Sequence, residues 1–100
     1  MNENRLSDRK HIDRFLYPGK VPIEHFEMLV ELSGIRSKRV IMALERYLVG
    51  GEKRKTLCET NAVSLSYFSV KLKQLHNCSV LVMKLCPYYD FSLAKNKNDK

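Results

Sequence analysis

Apolar residues in this chain recur at helical intervals, and no segment alternates with the period of two that a half-buried strand requires. Ile23, Phe26, Leu29, Val30 and then Ser33 follow a period near 3.6, with Pro22 at a natural first helical position and Gly34 as terminator. Ser37 is placed to cap a second helix with Val40, Ile41, Leu44, Tyr47 and Leu48 as its buried stripe, stopped by Gly50-Gly51. A short helix from Arg54 to Glu59 turns Leu57 and Cys58 inward, Asn61-Ala62-Val63 makes a turn, and Ser64 caps a longer helix through Leu75. A last apolar helix, from about Asn77 through Val80, Leu81, Met83 and Leu85, must stop near Cys86, because Pro87 disfavours helix at the residue before it. Tyr88, Tyr89 and Phe91 are expected to fold back on the core. The pattern predicts an all-α fold, a small helical bundle.

Residues 1–20 carry no sustained periodicity and close on Tyr17-Pro18-Gly19-Lys20, a turn sequence. They are expected to form a flexible N-terminal arm, in which Asp8 to Leu16 has room for one short helix. Residues 21–91 make the helical domain, and residues 92–100 a basic tail expected to be disordered. At 100 residues the chain holds one domain, long enough to build a core without metals or disulfides.

The short helix, turn and longer helix near residues 53–75 have the form of a helix-turn-helix. Such a pair needs a small residue where the first helix faces the second, an apolar residue just after the turn, and another inside the second helix. Cys58, Val63 and Phe68 supply these, and Ala62 takes the tight-turn position often held by glycine. Asn61 and Lys71 stand where apolar residues are usual, with Leu72 placed to take over the second contact.

Charge sharpens this reading. The chain has 18 Lys and Arg against 11 Asp and Glu, a net +7, and a pI near 9.5, so a polyanionic partner is expected, nucleic acid ahead of an anionic membrane. The first helix is acidic, through Glu24, Glu27 and Glu31, and is more suited to packing or to a partner than to phosphate. Arg36, Lys38, Arg39 and Arg46 make the second helix basic. Lys53-Arg54-Lys55 opens the helix-turn-helix and is a candidate phosphate site. The exposed side of its second helix carries Ser64, Leu65, Ser66, Tyr67, Ser69, Val70, Lys73 and Gln74. Only Lys73 and Gln74 are strong readers of base edges, and both lie well past the helix start, so DNA shape and minor-groove width are the expected basis of any preference. The candidate DNA-binding residues are therefore Lys53, Arg54, Lys55, Ser64, Ser66, Tyr67, Ser69, Lys71 and Lys73, with Cys58, Val63 and Phe68 structural in the motif.

Other chemistries find little footing. Cys58, Cys78 and Cys86 lack zinc-knuckle spacing, and His11, His25 and His76 are scattered, so neither a metal nor any cofactor is expected. The longest apolar runs, Val40 to Leu44 and Val80 to Met83, are far short of a membrane span, and the start of the chain lacks the apolar core of an export signal. A cytoplasmic protein is expected. There is no phosphate loop and no elbow serine, so an enzyme is not expected. Tyr67 and Phe68 lie side by side on a helix rather than on a sheet platform, which argues against an RNA reader.

The sequence also resembles a known family. Arg39-Val40-Ile41-Met42-Ala43-Leu44, Tyr47-Leu48-Val49-Gly50-Gly51, Arg54-Lys55 followed by Cys58-Glu59, Tyr67-Phe68-Ser69 and Cys86-Pro87-Tyr88-Tyr89 are similar to the fimbrial (adhesin biosynthesis) operon regulators of the PapB and FocB type. The resemblance spans residues 23–89. It implies a regulator of transcription of a pilus gene cluster that binds AT-rich double-stranded DNA with minor-groove contacts, forms homo-oligomers along its site and takes part in phase variation. Carried over by residue, it implies DNA contact for Arg54 and Lys55 and a structural place for Cys58. The alternative is a protein-binding adaptor or anti-activator that turns the helical pair on another regulator.

Overall fold

The computed structural model describes residues 16–89. Four helices follow in order, α1 (Ile23–Ser33), α2 (Lys38–Leu48), α3 (Arg54–Thr60) and α4 (Leu65–Leu85), and a 3-10 turn, Cys86–Tyr89, ends the described chain. Among the described residues there is no strand. This is the expected all-α bundle.

Local chemistry sets the helix ends. Ser37 and Ser64 each accept a hydrogen bond from the backbone N–H three residues on, Val40 and Tyr67, satisfying one of the donors a helix start leaves open. Gly34 ends α1 in the left-handed region, φ +81°, and donates its N–H to the Val30 carbonyl. Pro22 lies one residue outside α1 as its N-cap rather than at the first helical position, its carbonyl accepting from Phe26 N–H at 2.9 Å.

The core is one cluster fed by every helix. Phe26 and Leu29 come from α1, Val40, Ala43, Leu44 and Leu48 from α2, Leu57 and Cys58 from α3, and Phe68, Leu72 and Leu75 from α4. α4 is the hub, packing against each of the other three helices. Of the expected α2 stripe, Val40, Leu44 and Leu48 are buried while Ile41 and Tyr47 are half-buried; Ala43 joins them because it stands on the same face, one turn from Val40.

Three further expectations change. The long helix does not break near Asn77: α4 runs unbroken for 21 residues. His76 and Asn77 are modest helix formers, costing only about 0.5–0.7 kcal/mol each relative to alanine, and no Gly or Pro interrupts them. Buried Leu75 and Ser79 and half-buried Cys78 hold both sides of that joint against the body. Tyr88 and Tyr89 do not fold back but are 81% and 68% exposed, because the 3-10 turn follows α4 directly, with no loop to reverse the chain and none of its residues buried; Phe91 lies outside the described residues.

The third change concerns the segment before α1. Leu16 is 3% exposed and belongs to the core, so the part of the expected arm nearest the domain is packed. Gly19 N–H donates to the Tyr47 carbonyl and Val21 N–H to the Leu48 carbonyl, binding residues 16–21 across the end of α2. The expected helix from Asp8 to Leu16 falls almost wholly outside the described residues, as does the tail.

Candidate nucleic-acid interface

The residues expected to be structural where α3 and α4 cross are all buried. Cys58 is 3% exposed, Val63 8% and Phe68 wholly buried. Between the helices Ala62 takes φ +56°, the left-handed turn for which a small residue was expected. The Asn61 side chain donates to the Leu57 carbonyl at 2.8 Å, which satisfies its polar group where an apolar residue is usual. Leu72, 4% exposed, makes the core contact that Lys71 does not.

Arg54 is the best-positioned charge on this surface. Its guanidinium carbon lies 5.3 Å from the ring centre of Tyr47 and 5.9 Å from that of Phe68, and its Nη1 donates to Ser69 Oγ at 3.3 Å. The two rings meet edge to face, centroids 5.5 Å apart at 90°, so α2 and α4 together build the platform on which an α3 residue rests. Among the described residues Arg54 has no carboxylate partner, and its charge stands uncompensated. Tyr47, which the sequence offers as part of a buried stripe and of the resemblance motif, is the neighbour of Arg54 that sequence reading misses. Only its proximity to the basic run, seven positions on, hinted at it.

Beside Arg54 opens a cleft of about 450 Å³, walled by Tyr17, Tyr47, Ser69, Lys73 and Asn77 among others, with no carboxylate among its described lining residues. Lys73 is exposed there, while Lys53 and Lys55 are exposed at the start of α3. Lys71 is half-buried, its ammonium 5.5 Å from the Tyr67 ring centre and 3.3 Å from Gln74 Oε1. Ser64 is occupied as the cap of α4, with Ser66 Oγ 3.4 Å from its hydroxyl, and Ser69 receives Arg54. The ring of Tyr67 is half exposed, beside the exposed apolar side chains of Leu65 and Val70.

One expected base reader is engaged elsewhere. Gln74 Nε2 donates at 3.0 Å to the Ser33 carbonyl at the end of α1, tying two helices together. That pairing spans 41 positions and left no trace in local sequence pattern. Only Lys73 then remains of the two strong base-reading side chains on α4. The Cys58 thiol is pushed above its ordinary pKa by burial, an effect the nearby Arg54 charge partly offsets, so it stays protonated and packs as a small apolar group.

Comparison with known proteins now decides the family. The family model for adhesin biosynthesis transcription regulatory proteins, PapB, matches residues 1–89. This chain belongs to that family. The PapB regulatory protein of the major pilus subunit operon of Escherichia coli is 43% identical over 74 residues, 74% of this chain and 71% of its own length. The regulatory protein FanB of the same organism is 39% identical over 70 residues, covering 70% of this chain and 71% of that protein. The E. coli FocB crystal structure, at 43% identity, superposes with a TM-score of 0.70 over 74% of this chain and 84% of that one. Three of the relatives carry names of operon regulators, one of a pilus subunit operon and two of adhesin operons. Among the described residues, no helix is long and apolar enough to cross a membrane.

Proposed function

We propose that this family member regulates transcription of a fimbrial or adhesin operon, taking part in its phase variation, by binding AT-rich double-stranded DNA in the cytoplasm as a homo-oligomer. The contact surface runs over α3 and the N-terminal half of α4. Lys53, Arg54, Lys55, Lys71 and Lys73 neutralise phosphates, and Ser64, Ser66, Tyr67 and Ser69 approach the backbone closely. The observation that carries the reading is Arg54, a cation resting on two rings with no carboxylate partner among the described residues. A guanidinium held this way loses little freedom on meeting a phosphate.

The scarcity of base readers, sharpened by the engagement of Gln74, supports recognition of minor-groove width rather than of major-groove edges. Replacing A·T by I·C pairs leaves the minor-groove face nearly unchanged and rewrites the major-groove face. Affinity is expected to survive that replacement, and distamycin is expected to compete. A loss beyond about tenfold would place α4 in the major groove instead. With about five phosphates neutralised per protomer, log affinity should fall with log salt at a slope of roughly −4 to −5. A slope near zero refutes the DNA reading and leaves the protein-binding adaptor.

A further inference from the structure

We propose that copies of this chain join head to tail, the acidic outer face of α1 on one copy seating against the basic outer face of α2 on the next. The proposal deepens the oligomeric part of the function proposed above and does not depend on DNA.

On α1, Phe26 and Leu29 face the core, while Glu24, Glu27 and Glu31 form the outward ridge at intervals of three and four. Beside that ridge stand Met28 and Leu32, apolar side chains 61% and 65% exposed among the described residues. On α2, Val40, Ala43, Leu44 and Leu48 face the core, and the outer side presents Lys38, Arg39 and the 55% exposed Met42, with Arg36 just ahead of the helix. Glu45 is the single acid there. Among the described residues the ion pair is Arg46 with Glu52, so none of Glu24, Glu27, Glu31, Arg36, Lys38 or Arg39 has a charged partner among them.

The α1 face sets Met28 and Leu32 beside three carboxylates and the α2 face sets Met42 among three cations and one acid, so the two are opposite in net charge. Like faces would repel, so of the pairings these two faces allow, α1 with α1 and α2 with α2 are disfavoured and the complementary one is favoured. A contact between two different patches does not close on itself in a pair but leaves one acidic and one basic face free for the next copy. At 3.6 residues per turn Lys38 and Met42 stand about 180° and 140° from Tyr47 around α2, and Arg39 about 80°, so most of the basic face is turned from the candidate DNA surface. Copies could therefore add along a duplex while each keeps Arg54 on the DNA.

Charge reversal tests this without DNA, by sedimentation velocity of the full chain at low salt. One variant carries Glu24→Lys, Glu27→Lys and Glu31→Lys, and the other Arg36→Glu, Lys38→Glu and Arg39→Glu. The wild-type chain is expected to self-associate in a salt-sensitive way. Each variant alone is expected to lose at least about tenfold in association constant. An equimolar mixture of the two regains it, because each then offers the sign the other lacks, and that recovery also certifies that both are folded. A wild-type chain that does not self-associate, variants that associate unchanged, or a mixture that fails to recover overturns the proposal. Should the α2 variant keep its self-association and lose affinity for a short duplex, the basic face is a phosphate contact and the proposal likewise falls. Failure of the wild-type chain to bind DNA would refute the function proposed above and leave this result untouched.

Discussion

Gly19 and Gly51 donate their backbone N–H groups to the same acceptor, the Tyr47 carbonyl, each at 3.1 Å. The two glycines lie back to back, both in the left-handed region, φ +74° and +73°. A Cβ on Gly19 would stand 3.1 Å from Gly51 Cα, and one on Gly51 3.3 Å from Gly19 Cα. This crossing is what holds residues 16–21 across the end of α2, beside the ring that carries Arg54.

Alanine at either glycine combines left-handed strain with contact against backbone atoms that cannot rotate away. Gly19→Ala and Gly51→Ala should each lower unfolding stability by about 1–3 kcal/mol. Gly34→Ala meets a similar φ, +81°, but nothing within 4 Å, so only the conformational cost applies, about 1 kcal/mol. Urea unfolding of the three variants measures the difference. Equal losses at all three would mean that the close approach contributes nothing.

Cys58 gives a prediction in both packing and pH. Cys58→Leu should overpack the α3–α4 crossing by about 1–3 kcal/mol and damage DNA binding, while Cys58→Ser should be milder and leave binding largely intact. Because burial raises the thiol pKa in the folded chain, the protonated form is favoured there. The associated stability is fully present below the ordinary thiol pKa of 9.0 and is lost as pH rises through the folded value. Unfolding measured between neutral pH and pH 10 should therefore show a decline above about 9 that is reduced in Cys58→Ser. In thiol alkylation, exposed Cys86 should react first and Cys58 last.

Much of the fold was legible because its signals are local. Ser37, Gly34 and Ser64 mark helix ends by chemistry that acts over three or four residues, and the stripes of α1 and α2 follow one period. What escaped prediction depends on distant partners. The continuity of α4 across Asn77 rests on packing of Leu75 and Ser79 against the body, and the packing of Leu16 on hydrogen bonds from its neighbours to the end of α2. In the candidate site, the basic run and the serine face were visible as residue types. The platform under Arg54 was not, since its two rings come from different helices and meet only in the folded chain. Gln74 shows the converse: a residue of suitable type, withdrawn by a partner far away in sequence.

Ser79 is 3% exposed within α4, and its hydroxyl has no hydrogen-bond partner among the described residues. Burying that group unsatisfied costs stability, and serine is also a poorer helix former than alanine. Ser79→Ala is expected to raise stability by about 0.5–2 kcal/mol, read as an increased urea midpoint with unchanged slope. A decrease would show that the hydroxyl has a partner and that the helix depends on it.

The platform under Arg54 separates holding a charge from merely having one. Arg54→Ala removes a phosphate contact, so it should weaken binding to AT-rich and GC-rich duplexes alike and reduce the salt slope by about one unit. Tyr47→Leu keeps the charge and removes one ring, and is expected to weaken binding by about 0.5–1 kcal/mol with the salt slope unchanged. If the ring acts only through the guanidinium, Tyr47→Leu should add nothing further in an Arg54→Ala background, which a double-mutant cycle by fluorescence anisotropy measures directly. Independent, additive losses would detach Tyr47 from Arg54 and make the ring a separate contact. A loss from Arg54→Ala confined to one duplex sequence would make Arg54 a reader of bases rather than a phosphate anchor, because phosphate contacts carry no sequence information.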